Sequence, residues 1–177
     1  MHGLHLTSLL APCSTTASPL TKPASGAYHS SHQKQFQGAS MRTVAVLLAP
    51  GFEEIEAITV IDYLRRAEIG VTTVAVPADG AEGTTVTGSH GIPVVADTTL
   101  AAYRAARTVP DAIYSPGGMP GAANIGANAD ALDLIAAVAG AGKLVAALCA
   151  APVVVLAKTG LLAGRRYTCY PGMEESL

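Results

Sequence analysis

The sequence predicts an α/β fold, a doubly wound and mostly parallel sheet with helices on both faces. Three observations point there. Continuous apolar runs at 43–49 (TVAVLLA) and 143–148 (KLVAAL) have the length and character of strands covered on both sides. Stretches with helical apolar spacing alternate with such runs, which is the pattern of right-handed β-α-β crossovers. Half of the residues are hydrophobic and 14% are charged, with no Trp, so the core is built from Ala, Val, Leu and Ile. A chain of 177 residues suits one domain.

The first forty residues stand apart. They contain no Asp, Glu or Arg, four of the five histidines (His2, His5, His29, His32), seven Ser, four Thr, and Pro12, Pro19 and Pro23. Too little apolar surface is present to fold alone, so 1–40 is expected to be a disordered leader. Its acid-free, Ser-rich composition is like an organellar transit peptide, and the lack of Arg favours a plastid over a mitochondrion. An untargeted tail, with a cytoplasmic protein or with Met41 as the true start, is the alternative. Leu9–Cys13 is too short, and too broken by Pro12, for a secretory signal. The four histidines have no fixed spacing and are read as composition rather than a metal site.

From Met41 the pattern is regular, and 41–177 is read as the folded domain. A strand over 43–49 turns at Pro50-Gly51 into a helix over 53–67, with Ala57, Val60, Ile61 and Leu64 on one face. Strand 71–76 follows, then a turn at 78–80. Short strands at 84–87 and 92–96 flank Gly88–Gly91 as a candidate hairpin. A short helix is expected over 100–107 and a strand over 111–115, which enters the loop 116–124 (PGGMPGAAN). A helix from 128 or 129 to 141 leads to the strand 143–148, Cys149, and a helix over 151–158. Pro152 suits the first turn of that helix, and Gly160 its stop.

Ligands of such sheets bind beyond the carboxyl ends of the strands. Three loops of this chain lie there: 50–56, 116–124 and the Cys149 turn. Cys149, at a strand-to-helix join, lies near unpaired N–H groups and the positive end of a helix dipole, which favour thiolate over thiol. It reads equally as a small buried hydrophobe. Gly117-Gly118 can turn backbone N–H groups outward for an oxyanion or serve as an ordinary turn. Glu53, Glu54 and Glu56 crowd a helix's first turn, where carboxylates complement the dipole. The glycine loop has neither the GxGxxG nor the Walker A pattern, so no nucleotide is indicated. A net charge of −2 without a basic run argues against nucleic acid and anionic membranes as partners. No apolar run reaches the ~18 residues of a membrane span. Cys13, Cys149 and Cys169 have neither metal nor disulfide spacing.

Three segments together, GFEEIEA (51–57), PGGMPGAAN (116–124) and AALCAAP (146–152), resemble the ThiJ/PfpI superfamily, and within it the DJ-one branch. The resemblance runs from Met41 to Leu177. It implies a flavodoxin-like, class I glutamine amidotransferase-like sandwich, commonly a homodimer, that needs no metal or organic cofactor. It implies that Cys149 is the nucleophilic and oxidation-sensitive cysteine, that Glu56 is the carboxyl bonded to its sulfur, and that Gly118 and Ala150 supply oxyanion N–H groups. Activities assigned to the branch are glyoxalase, protein deglycase, oxidative-stress sensor and chaperone. Ala150 stands where the protease-like branch has a His, so a peptidase is not expected. Tyr170 stands where the DJ-one branch has a His near the cysteine, leaving acid–base work to Glu56, with Tyr170 as a hydrogen-bond donor. His90 lies in a loop where the branch has a small-residue/Arg pair. Cys169 is read as a strand cysteine or a second oxidisable thiol.

Two functions from different classes follow. One is cysteine-dependent conversion of a small reactive 2-oxoaldehyde, or its adducts, to a 2-hydroxy acid. The other is a non-enzymatic redox sensor or chaperone reading the oxidation of Cys149. Family members continue past the position of Leu177 with further strands and a long helix. The chain is therefore also expected to be an incomplete domain, short of C-terminal elements. As such it would be an inactive fragment that leaves the strands 44–48 and 144–148 short of cover and does not form the usual dimer.

Overall fold

Strand β1 (Thr43–Leu48) is the centre of the molecule, and its alternation decides what packs on each side. The structure, a computed structural model, describes residues 42–78 and 83–176. The expected leader, 1–40, and part of the expected turn at 78–80 lie outside those residues. Side chains of a strand alternate between faces. Val44, Val46 and Leu48 meet Ala57 and Ile61 of helix α1 (Glu54–Arg66) on one face. Ala45 and Leu47 face the other way, into a cluster with Ile125, Leu134, Ile135, Val138 and Val155. From Ala45 to Leu48 no side chain is exposed.

Apart from an added strand, Thr98–Thr99, and an added helix, Gly121–Ala127, the remaining elements follow the expected order. They are β2 (Gly70–Ala75), β3 (Thr85–Thr87), β4 (Pro93–Val95), β5 (Thr98–Thr99), α2 (Leu100–Ala105), β6 (Ala112–Ser115), α3 (Gly121–Ala127), α4 (Ala129–Gly140), β7 (Leu144–Ala147) and α5 (Ala151–Val154). The main sheet is parallel throughout, in the order β5-β2-β1-β6-β7. β3 and β4 form the expected antiparallel hairpin as a separate two-stranded sheet. Asn128 caps α4 by accepting the Ala131 N–H at 3.0 Å, and Thr99 caps α2 from the Ala102 N–H at 3.3 Å. No helix among the described residues is long and apolar enough to cross a membrane.

Three expectations need correction. The run 143–148 is not a central strand covered on both faces. β7 pairs only with β6, it is the edge of the described sheet, and Leu144 is 64% exposed. Residues 121–127, which begin inside the expected loop 116–124, form α3, because Ala122 and Ile125 are buried in the core under β1 and Gly126 permits close approach to Val154. Tertiary packing here outweighs the poor helix propensity of Gly121, Asn124 and Gly126. The helix over 151–158 breaks after Val154 into a 3-10 turn, Leu156–Thr159, and ends as expected at Gly160 with φ +73°. The β-branched run Val153-Val154-Val155 is unfavourable for a continuous helix.

Candidate active site

β7 ends at Ala147, and after Leu148 the chain turns into α5. Cys149 makes that turn with φ +59°, a left-handed conformation uncommon outside glycine. Strain of this kind costs on the order of 1–3 kcal/mol and persists where surrounding structure enforces it. Enforcement comes from the Leu148 N–H donating to Ser115 O at 3.2 Å, and from the Tyr170 N–H donating to Cys149 O at 2.8 Å. The half-buried sulfur thereby lies near the N–H groups of Ala150 and Gly118, which favour its thiolate.

Glu56 approaches from the opposite side, on the first turn of α1. The Cys149 thiol lies against its carboxylate, which pushes the thiol up, and the Gly117 N–H donates to Oε2 at 2.7 Å. A side chain at Gly117 is excluded, since a Cβ there would lie 2.6 Å from Cys149 Cβ and 2.7 Å from Glu56 Oε2. Gly118 has φ +84°, and a Cβ on it would collide with the Glu53 backbone nitrogen. The α1 start is tied to the same loop: the Glu53 N–H donates to Gly117 O at 3.1 Å, and Asn124 Nδ2 donates to Pro50 O at 2.9 Å. Beneath Glu56, the buried Tyr114 hydroxyl donates to its main-chain oxygen at 3.2 Å. Burial, with the charges of Glu56 and Cys149 added, pushes the Tyr114 phenol well up, so it stays a donor.

The titration of Cys149 differs from the sequence expectation. Burial pushes the thiol up, and the hydrogen bond to Glu56 and its charge push it further. The Ala150 and Gly118 N–H groups pull the other way and do not win. The expectation of a depressed value counted the N–H groups and the dipole but not the carboxylate. It also assumed a longer helix than the four residues of α5, whose dipole is correspondingly small. With the carboxylate beside it, the sulfur is favoured as a thiol, while two backbone N–H groups face it.

All five residues singled out in the sequence, Cys149, Glu56, Gly118, Ala150 and Tyr170, come together, but Tyr170 does so through its backbone. Its side chain is 58% exposed and makes no hydrogen bond among the described residues. Cys169 does not lie in a strand; its Sγ is 3.6 Å from Glu174 Oε2, and burial and that carboxylate push its thiol up. His90 lies away from the cysteine and pairs with Glu54, at 3.0 Å between Nδ1 and Oε2. Glu53, Glu54 and His90 bring oxygen and nitrogen atoms within 4.8 Å of one another, and their mutual hydrogen bonds account for the grouping without a cation. Gly117 as the donor to Glu56, Tyr114 beneath it, and Glu54 as a buried carboxylate were not separated out from the sequence. No local sequence signal marked Glu54: it is 6% exposed while Ile55 beside it is 74% exposed, the reverse of their polarity.

Residues 42–177 match the DJ-1/PfpI family. The chain belongs to that family. It is 38% identical over 136 residues to Protein dj-1beta of Drosophila melanogaster, covering 77% of this chain and 69% of that protein. It is 37% identical over 140 residues to Protein DJ-1 homolog B of Arabidopsis thaliana, covering 78% of this chain but only 30% of that protein. Among solved structures, a mutant of a DJ-1 superfamily protein from Salmonella typhimurium superposes with TM-score 0.71 at 44% identity, covering 77% and 70% of the two chains. Oxidized Toxoplasma gondii DJ-1 superposes with TM-score 0.71 at 37% identity, covering 77% and 71%. These relatives carry the DJ-1 fold, in agreement with the doubly wound, flavodoxin-like architecture expected from the sequence.

Proposed function

We propose that this DJ-1-like chain acts on small reactive 2-oxoaldehydes such as methylglyoxal, or on their protein adducts, in protection against carbonyl and oxidative stress. One observation carries the reading: a cysteine at a strained strand-to-helix turn faces a carboxylate, with two backbone N–H groups beside its sulfur. In this reaction Cys149 Sγ adds to the aldehyde carbon, and the thiol proton, passed through Glu56, ends on the former carbonyl oxygen. The developing oxyanion lies near the N–H groups of Gly118 and Ala150. Glu56 then takes the proton from the first carbon and returns it to the second, converting the hemithioacetal through an enediol to a 2-hydroxy thioester. Water cleaves the thioester, releases the 2-hydroxy acid and restores the thiol. The sum is addition of one water to the oxoaldehyde, with no external oxidant or reductant.

A second reading is supported by the same donors, which would hold the oxygens of a Cys149 sulfinate formed by two equivalents of peroxide. The test is turnover of methylglyoxal by wild type, Cys149→Ser and Glu56→Gln, with intact mass after peroxide treatment. Loss of turnover in Cys149→Ser, and a fall of about 10²–10⁴-fold in Glu56→Gln, supports the enzyme. Stoichiometric oxidation without turnover supports the sensor, and neither activity would leave an inactive fragment. The homodimer that the resemblance implies finds an apolar face in Ile55 and Ile58, both exposed on α1. Sedimentation of Ile55→Glu against wild type tests it.

A further inference from the structure

One buried carboxylate joins the loop 88–92 to the first turn of α1. Glu54 accepts hydrogen bonds from the His90 N–H at 2.8 Å, His90 Nδ1 at 3.0 Å, Ser89 Oγ at 3.2 Å and the Ile92 N–H at 3.4 Å. Glu53 lies on the outer side, with Oε1 3.6 Å from His90 Nδ1 and Oε2 accepting from Ser89 Oγ at 3.1 Å. The loop lies directly on the carboxylate, because a Cβ at Gly88 would overlap Glu54. Around this contact the backbone is stitched together: Gly51 N–H to Thr87 O at 2.8 Å, Ser89 N–H to Phe52 O at 2.8 Å, and Glu53 N–H to Gly117 O at 3.1 Å. Gly117 in turn donates to Glu56. A continuous run of hydrogen bonds therefore leads from His90, through the start of α1, to the carboxylate that faces Cys149.

We propose that His90, as an imidazolium, is a positioning residue for the Glu56–Cys149 pair. It clamps Glu53 and Glu54 and so fixes the first turn of α1, and its hold weakens when it loses its proton. Glu53 and Glu54 are the charged groups that face it from α1, while the hairpin strands beside it, TVT and PVV, carry no charge. Neutral His90 can still donate one hydrogen bond, so the clamp loosens rather than opens. Two neighbouring carboxylates in one turn then lack a counter-charge and repel. In the folded protein, the Glu54 hydrogen bond and the charges of Glu53 and Glu54 raise His90 above the ordinary imidazole value. Burial opposes ionisation of Glu54, but the His90 side chain and the N–H groups of the loop bring it down to about 2. Glu54 is therefore ionised around neutral pH, and the His90 transition lies on the alkaline side of an ordinary histidine.

This inference rests on Glu56 being the proton partner of Cys149, and its test uses no substrate. The rate of Cys149 carbamidomethylation by iodoacetamide is measured by peptide mass spectrometry from pH 5.5 to 9 in the full chain, for wild type, His90→Arg and His90→Gln. Arginine keeps the charge at every pH and glutamine removes it, and a ratio to His90→Arg cancels the thiol's own titration. A displaced Glu56 no longer holds the thiol proton, so alkylation rises when the clamp loosens. His90→Gln should therefore react several-fold faster than His90→Arg throughout. Wild type should follow His90→Arg at low pH and climb toward His90→Gln as His90 deprotonates. In parallel, Glu54→Gln should lower the His90 titration midpoint read by NMR. Coincident profiles for all three proteins, or a wild type that follows His90→Gln at every pH, would overturn the proposal. A clear step with no methylglyoxal turnover would keep the clamp and remove the enzyme reading.

Discussion

β1 and β7 are written in nearly the same letters, TVAVLL and LVAA, and sit in different surroundings. β1 has a strand on each side and apolar cover on both faces, and Ala45 to Leu48 are wholly buried. β7 has one neighbour, Leu144 is 64% exposed, Leu148 just beyond it is 46% exposed, and a groove of about 590 Å³ runs along the strand between Leu144–Ala147 and residues 165–168. An apolar run declares that a strand needs cover; which element supplies the cover is a property of topology. The candidate site spans the two environments. Glu56 hangs from the helix that packs on β1, and Cys149 stands at the end of β7.

The largest test of this contrast is a pair of truncations. Leu47→Ala removes a fully buried side chain between two core layers and should cost about 2–5 kcal/mol. Leu144→Ala, on the open strand, should stay within about 0.5 kcal/mol of wild type. Urea denaturation of both proteins is the measurement. Equal losses would mean that β7 is as well covered as β1, whether by another copy of the chain or by residues outside those described.

Gly118→Ala attacks the joint between the regions. The residue sits at φ +84° with the Glu53 nitrogen against it, so alanine pays left-handed strain of about 1–2 kcal/mol and must push α1 away as well. Stability should fall by at least about that amount, and the Glu56 contact to Cys149 should be lost with it. A Gly118→Ala protein with wild-type denaturation and unchanged Cys149 alkylation would show that the loop is slack rather than wedged.

Glu56→Gln should separate two properties that usually move together. Removing the charge takes away the hydrogen-bond and Coulomb contributions that raise the Cys149 thiol, while the Ala150 and Gly118 N–H groups remain. The thiol midpoint should therefore fall and alkylation near neutral pH should rise several-fold, even as turnover collapses for want of a base. A thiol midpoint that rises in Glu56→Gln would show that the carboxylate, not the N–H groups, had been favouring thiolate.

These tests also mark where the sequence is legible. α1 could be read because Ala57 and Ile61 recur at helical spacing, and both are buried; β1 could be read because its run is long and uninterrupted. Cys149 and the glycine loop were found because turn chemistry is local. The edge position of β7, the helix α3 and the raised thiol were not found, since each depends on contacts between residues distant in the chain. Glu54 shows the limit most clearly. Three acidic residues in a helix's first turn look alike as dipole partners, yet Glu54 is buried against the 88–92 loop, Glu56 faces the cysteine, and Glu53 stays at the rim.

The smallest expected effect compares the two edges of the sheet in acid. Asp97 ties β2 to the start of the edge strand β5: it accepts from the Thr73 N–H and hydroxyl, both at 2.8 Å, and pairs with Arg65 at 3.1 Å. Burial pushes its carboxyl up, but Thr73 and Arg65 together hold it below the usual value. Asp111 stands near the β7 edge, where the Thr43 N–H, then Lys143, and more weakly Arg42 lower it against a smaller burial effect. A carboxylate depressed in the folded state contributes stability above its unfolded pKa, near 4, and that contribution is lost as pH falls through the folded value. Both groups are partly exposed, so solvent and salt screen much of the charge term. What distinguishes them is the number of fixed short bonds, two from Thr73 to Asp97 against one backbone N–H at 3.0 Å to Asp111. Asp97→Asn should therefore remove more of the stability lost between pH 5 and 3 than Asp111→Asn does, and added salt should weaken the Asp111 contribution more. Urea midpoints at pH 7, 5, 4 and 3, at low and high salt, decide the matter. A larger acid effect from Asp111→Asn would show that the β7 edge, despite its open groove, is the better-anchored side of the sheet.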